Sequence, residues 1–207
     1  IADVKATSDA SQRKYILEGY LAPNTYEVYM DASDEDIIRK LLSQTEAEFP
    51  AEYQNRATEL GMSMDEVLTL ASLIEKEAKE ADFTKVSAVF HNRLKQNIKL
   101  GSDVTIHYIT GVRKMSLTNS DLQVDSPYNT YLYAGLPIGP ICNPSPKAIA
   151  AALYPDETYV AENYLFFCSK DPESGELYFS KTQEEHDQAV AIYAPLWKAY
   201  DESRGIE

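Results

Sequence analysis

Apolar residues recur at helical spacing along most of this chain, and the densest run lies between Ser63 and Ala78. Val67, Leu68, Leu70, Ala71, Leu73, Ile74 and Ala78 together cover more than half of a helical circumference, so the spacing predicts a helix buried on most sides. Ser63 and Glu66 stand in capping-box spacing at its start, and Gly61 is a natural stop for whatever precedes it. Two carboxylates interrupt the apolar arc. Glu75 falls in line with Leu68, Ala71 and Ala78, and Glu77 with Leu70, Leu73 and Ile74. They point ~160° apart around the axis, so they do not share a site. A carboxylate on such a helix is costly unless it is partnered or put to chemical use. Small neighbours around Glu75 leave space for a ligand, whereas those of Glu77 are bulky. The plain alternative is that both carboxylates bind backbone amides of adjoining segments.

Other periodic stretches flank this helix. Ser33 and Asp36 open a helix carrying Ile37, Ile38, Leu41, Leu42, Thr45 and Phe49. Pro50 ends or kinks it, and a further piece runs to Leu60. Asp82 is a candidate cap for a helix with Phe83, Val86, Val89, Phe90, Leu94 and Ile98 on its apolar side. His91, Asn92 and Arg93 fall on its polar side, where solvated surface is the usual outcome. Ser102 or Asp103 begins a short helix ending near Gly111, and Ser145 with Pro146 begins another through Leu153. Thr182 and Glu185 open a C-terminal helix with Val190, Tyr193, Trp197 and Tyr200, which Pro195 is expected to kink or interrupt.

Extended structure is expected in two places. Tyr15–Met30 mixes aromatic and β-branched residues around a Pro23-Asn24 turn signal. Tyr164–Cys168 and Glu176–Phe179 are strand candidates joined by a hairpin loop over Asp171–Gly175. From Ser116 to Leu153 the chain is rich in turns, and Pro and Gly residues stiffen Ser126–Ile141 into a loop suited to binding. The resulting expectation is α+β: helices around a central Glu-bearing helix, with a small antiparallel sheet from the Tyr15–Met30 and Tyr164–Phe179 regions. Polar residues 1–14 read as a linker or remnant of a preceding module, and 15–207 as one domain.

Composition narrows the function. Lys and Arg number 19 against 33 Asp and Glu, a net charge of −14, which argues against nucleic acid or an anionic membrane as partner. Neutral polymers such as glycans remain, and 15 tyrosines supply rings with hydroxyls. The two cysteines, Cys142 and Cys168, and the three scattered histidines have no metal-ligand spacing, so no metal site is expected. The cysteines are compatible with one disulfide or with two buried thiols. No apolar run reaches membrane-span length. Ile1 is not a natural start, so the chain reads as a fragment.

Six ordered strings resemble one family: Leu17–Tyr26 (Leu-Glu-Gly-Tyr-Leu-Ala-Pro-Asn-Thr-Tyr), Ala71–Ala78 (Ala-Ser-Leu-Ile-Glu-Lys-Glu-Ala), Val89–Leu94 (Val-Phe-His-Asn-Arg-Leu), Ser126–Tyr131 (Ser-Pro-Tyr-Asn-Thr-Tyr), Gly135–Ile141 (Gly-Leu-Pro-Ile-Gly-Pro-Ile) and Phe179–His186 (Phe-Ser-Lys-Thr-Gln-Glu-Glu-His). Together they are similar to the YceG-like (MltG) endolytic murein transglycosylases, over nearly the whole chain. The resemblance implies a lysozyme-like active-site cleft and cleavage within nascent peptidoglycan strands, between N-acetylmuramic acid and N-acetylglucosamine, leaving 1,6-anhydro ends. It implies a domain on the extracytoplasmic face of a bacterial membrane, anchored upstream. Its expected partners are glycan strands and membrane-bound synthases, the penicillin-binding proteins; no cofactor is implied. It makes Glu75 the catalytic acid/base.

A single acid suits such a reaction. The C6 hydroxyl of the muramic residue itself attacks the anomeric carbon, so no second carboxylate is needed. Ser102, Asp103, Asn129 and Tyr131 are the candidates for contacting the sugar and its developing charge. Asp103 is expected to be held ionised and passive by N–H groups at its helix start. If it faced the acid instead, a muramidase-type hydrolysis with two carboxylates ~5–9 Å apart would compete. The chain departs from the family pattern at Gly101, Val104 and Ile138, which keeps a non-catalytic glycan-binding scaffold as a further alternative.

Overall fold

The computed structural model describes residues 10–206. Nine helices and one hairpin are present among them: α1 (Asp34–Ala47), α2 (Ala51–Leu60), α3 (Met64–Glu77), α4 (Phe83–Lys95), α5 (Asp103–Thr110), α6 (Asn119–Leu122), α7 (Pro146–Leu153), α8 (Glu157–Ala161), β1 (Phe166–Asp171), β2 (Glu176–Ser180) and α9 (Gln183–Ser203). The class is α+β, as the periodicity predicts.

Helix α3 is the centre. Every residue from Val67 to Ile74 is buried, and Val67, Leu70, Ala71, Leu73 and Ile74 have no exposure at all. Ser63 accepts from the Glu66 N–H (3.2 Å) while Glu66 accepts from the Ser63 N–H (2.8 Å), which is the expected capping box. Its main partner is α7, with α4, α5 and α2 completing the surround. The alanines of α7 allow close approach. Ser72, buried within α3, donates to the Thr69 carbonyl (2.7 Å) and accepts from the Ile141 N–H (3.0 Å), so the Pro/Gly-rich loop is fastened to the core. Truncating one of these leucines to Ala would cost about 2–5 kcal/mol.

The sheet is smaller than expected. β1 and β2 pair antiparallel, with Phe167 opposite Phe179 and Cys168 opposite Tyr178. Tyr15–Met30 adds no strand. Pro23 lacks an N–H, and neighbouring amides are satisfied by side chains from elsewhere rather than by a ladder. Asn143 Oδ1 accepts from Gly19 (2.7 Å) and Leu21 (3.2 Å), and Thr45 Oγ1 accepts from Ala22 (3.0 Å). Side-chain bonds of this kind compete directly with strand pairing.

Three further expectations change. Pro195 does not interrupt α9, which runs on to Ser203. Asp82 makes no side-chain cap and instead pairs with Lys85 (2.7 Å). Much of the 1–14 linker expectation lies outside the described residues, but Arg13 belongs to the packed domain. Its guanidinium, 1% exposed, binds Asp65 through two nitrogens, at 2.8 and 2.5 Å. Tyr20 adds a hydroxyl to the same carboxylate at 2.6 Å. Gly139 leaves space for this arginine, since a Cβ there would stand 2.6 Å from Arg13 Nε. Both cysteines are free thiols, with Cys168 buried.

Candidate active site

The two carboxylates at the end of α3 diverge, as helix periodicity requires, and they meet different surroundings. Glu75 turns toward the start of α7. Its Oε2 accepts from Ser145 Oγ (2.6 Å) and from the Ser145 N–H (3.1 Å). Ser145 is the N-cap of α7 and also accepts from the Ala148 N–H. A carboxylate there complements the positive helix end. Glu75 thus joins two core helices, and it does not meet Ser102, Asp103 or Tyr131.

Glu77 faces a cavity of about 280 Å³ on the opposite side of α3. Its walls come from the end of α3, from Arg93 of α4, from Asp103 of α5, from Tyr131 and from the hairpin and α9. Ser102 was expected to cap α5 or touch sugar. Instead its hydroxyl donates to Glu77 Oε1, and α5 starts without a side-chain cap. The Ser102 N–H in turn donates to Thr130 Oγ1 at 2.9 Å.

Burial is the main influence on Glu77, and the nearby charge of Asp103 adds to it, so its carboxyl is pushed up to about 8. Ser102, Arg93 and the Val104 N–H oppose the rise by favouring the ionised form. At neutral pH the group is therefore mostly a neutral acid.

Asp103 is not held by backbone amides at its helix start, contrary to expectation. Its Oδ1 accepts from the Tyr131 hydroxyl, and burial raises its pKa despite that bond. The neighbouring carboxylate raises the Tyr131 phenol as well, after the larger effect of burial, so Tyr131 stays protonated and donating. Tyr131 thus lines the cavity with Glu77 and Asp103. Asn129 does not line it. It is 1% exposed, and its amide donates to the Leu122 (3.0 Å) and Val124 (2.8 Å) carbonyls while its Oδ1 accepts from the Tyr131 N–H (2.9 Å). Asn129 shapes the loop that presents Tyr131.

Arg93 was assigned to solvated surface by its place on the polar side of α4. In the structure it bridges three segments, donating to the carbonyls of Leu165 (2.5 Å), Lys99 (3.1 Å) and Leu100 (2.8 Å), with its guanidinium 4.9 Å from the Phe166 ring centre. Asn92 beside it is buried and bonds the Tyr159 and Tyr164 carbonyls. Helical periodicity marks neither residue for burial, because the Tyr159, Tyr164 and Leu165 carbonyls that they bond lie far along the chain. Gly101, a departure from the family pattern, has φ +55, and a Cβ there would stand 3.3 Å from Arg93 Nη1. Glycine is the residue that this close approach favours.

Among the described residues, no group of three or more His, Cys, Asp or Glu is arranged to hold a metal ion, and no helix is long and apolar enough to cross a membrane.

Residues 1–192 match the model of the YceG-like family. An endolytic murein transglycosylase of Bacillus subtilis (strain 168) is 43% identical over 182 residues, which are 87% of this chain and 49% of that protein. One from Streptococcus pneumoniae (serotype 2, strain D39) is 34% identical over 187 residues, 87% of this chain and 33% of the relative. The chain thus spans between a third and a half of these relatives' lengths. A 2.6 Å crystal structure of a YceG-like protein from Listeria monocytogenes superposes with a TM-score of 0.78 at 41% identity, covering 90% of this chain and 62% of that one.

Proposed function

The chain belongs to the YceG-like family, and we propose that it is the catalytic domain of an endolytic peptidoglycan lytic transglycosylase whose acid/base is Glu77. The observation that carries the choice of residue is the cavity. Glu77 faces it together with Asp103, Tyr131 and Arg93, whereas Glu75 is spent on Ser145. In this reading the acid is the second glutamate of the motif, where the resemblance implies the first.

The chemistry follows from the surroundings. The neutral Glu77 carboxyl protonates the oxygen between N-acetylmuramic acid and N-acetylglucosamine as the bond breaks. The carboxylate left behind is held by the Ser102 hydroxyl, the Val104 N–H and the charge of Arg93, the groups that favour its ionised form. It then takes the proton from the C6 hydroxyl as that oxygen closes on the anomeric carbon, giving the 1,6-anhydro end. Asp103 and the Tyr131 hydroxyl supply a polar wall toward the developing oxocarbenium charge. This reading carries with it a location outside the cytoplasm, at the bacterial membrane where synthases extrude nascent strands.

One observation favours a second reading. Asp103 lines the same cavity as Glu77, where a two-carboxylate hydrolysis would place its second carboxylate. Mass spectrometry of fragments released from uncross-linked glycan separates the two. Anhydro ends, lighter by one water, support the transglycosylase. Fragments bearing only reducing ends would establish the hydrolase and make Asp103→Asn the next variant. A domain releasing no fragments would leave the scaffold reading.

A further inference from the structure

The chain carries a formal charge of −14, yet cations gather around the cavity that holds Glu77: Lys76, Arg93, Arg113 and Lys114 all line it. Two of them are occupied. Arg93 is spent on backbone carbonyls, and Lys114 pairs with Asp121 at 2.7 Å. Lys76 and Arg113 are exposed and make no hydrogen bond or ion pair with any described residue. Lys76 follows Glu75 and precedes Glu77 on α3, so it lies between the two diverging carboxylates.

Arg113 stands on a segment that is pinned far more firmly than an exposed loop needs. His107 Nε2 and the Lys114 carbonyl are 2.8 Å apart. The buried carboxylate of Asp201, from the end of α9, accepts from the Met115 (2.9 Å) and Ser116 (2.8 Å) N–H groups. Fixing the backbone immediately after an arginine lowers the entropy cost of using it in recognition.

We propose that Lys76 and Arg113 form a cationic rim that recognises the carboxylates of peptide stems on the glycan, so that the site prefers strands with charged stems to strands whose stem carboxylates are neutralised. The inference rests on the glycan-cleaving reading above. Each muramic residue carries its stem through its lactyl group. A bond placed at Glu77 therefore brings a stem to the cavity mouth, whatever the position along the strand. Elsewhere the acidic surface repels such an anion, and an unpaired Arg offers a planar fork that matches a carboxylate.

The test compares uncross-linked glycan with the same glycan after its stem carboxylates are converted to neutral amides by a carbodiimide and excess methylamine. Stripping the stems with an amidase would not serve, because it leaves a carboxylate on each muramic lactyl group. The readout is the ratio of kcat/KM on the two substrates, for the unaltered chain and for the double variant Lys76→Gln, Arg113→Gln. The unaltered chain is expected to prefer the glycan with charged stems, and the double variant to lose about 5-fold of that preference, mainly in KM, with the loss shrinking at high salt. An unchanged ratio would overturn the rim. If neither substrate were cleaved, the catalytic reading would fail separately, and calorimetric titration of both glycans into the two proteins would still decide. Equal binding of the charged and the amidated glycan by the unaltered chain would then overturn the proposal.

Discussion

The Ser102 hydroxyl donates to Glu77 and accepts from no N–H of the helix it begins, so a residue placed to cap α5 instead positions the Glu77 carboxyl at the end of α3. A hydrogen bond to a charged group contributes about 1.5–3 kcal/mol, and one pKa unit corresponds to about 1.4 kcal/mol. Ser102→Ala should therefore raise the Glu77 pKa further, by about one unit or more. Cleavage needs Glu77 protonated, so activity should fall as pH rises through about 8 in the unaltered chain. In Ser102→Ala the same limb should move to higher pH. A pH–rate profile of both proteins reads the shift.

Glu77 should also destabilise the fold at alkaline pH. Its folded-state pKa of about 8 stands above the ordinary 4.5, so the folded chain keeps a proton that the unfolded chain has already released. Stability is then highest below the ordinary value, falls as pH rises through that window, and is lowest above the folded value. Glu77→Gln removes the effect. Its melting temperature should exceed that of the unaltered chain at pH 9, by an amount reflecting on the order of a few kcal/mol, and the difference should shrink toward pH 5. Thermal melts across that range check it.

Glu75 should behave as a structural residue. Glu75→Gln weakens its contacts with Ser145 and with the start of α7, at a cost of about 1 kcal/mol. Urea denaturation should show a lower midpoint with an unchanged slope.

The Arg13–Asp65 pair ties the segment ahead of Tyr15 to the start of α3. Asp65→Ala strands a buried guanidinium and a buried Tyr20 hydroxyl, and should cost about 3–5 kcal/mol in urea unfolding. The double change with Arg13→Ala should cost less than the sum of the single ones, because the two groups share one interaction.

What local chemistry determines was legible in the sequence. The capping boxes at Ser33, Ser63 and Thr182 form as their spacing predicts, Gly61 ends α2 at φ +69, and Pro146 opens α7. The hairpin also forms, although β1 starts and ends later than expected. Periodicity placed Glu75 and Glu77 on opposite sides of one helix, but not which side would be hollow. Small neighbours around Glu75 suggested space there, and α7 fills it. Bulky neighbours around Glu77 suggested crowding, but the cavity is closed in by the hairpin, Arg93 and α9, the last of them more than a hundred residues away in the chain. Asn129 and Tyr131 lie two residues apart in one motif, and only tertiary structure separates the loop-former from the cavity residue. The amides of Tyr15–Met30 are claimed by Asn143 and Thr45, which no local propensity reveals.

Glycan cleavage by Glu77→Gln and Glu75→Gln, measured side by side on uncross-linked strands with both variants shown to be folded, tests the central claim most directly. The account predicts that Glu77→Gln loses at least ~10²-fold in rate, while Glu75→Gln stays within a few-fold of the unaltered chain. Full activity in Glu77→Gln, with loss confined to Glu75→Gln, would contradict it and return the acid to the other face of α3.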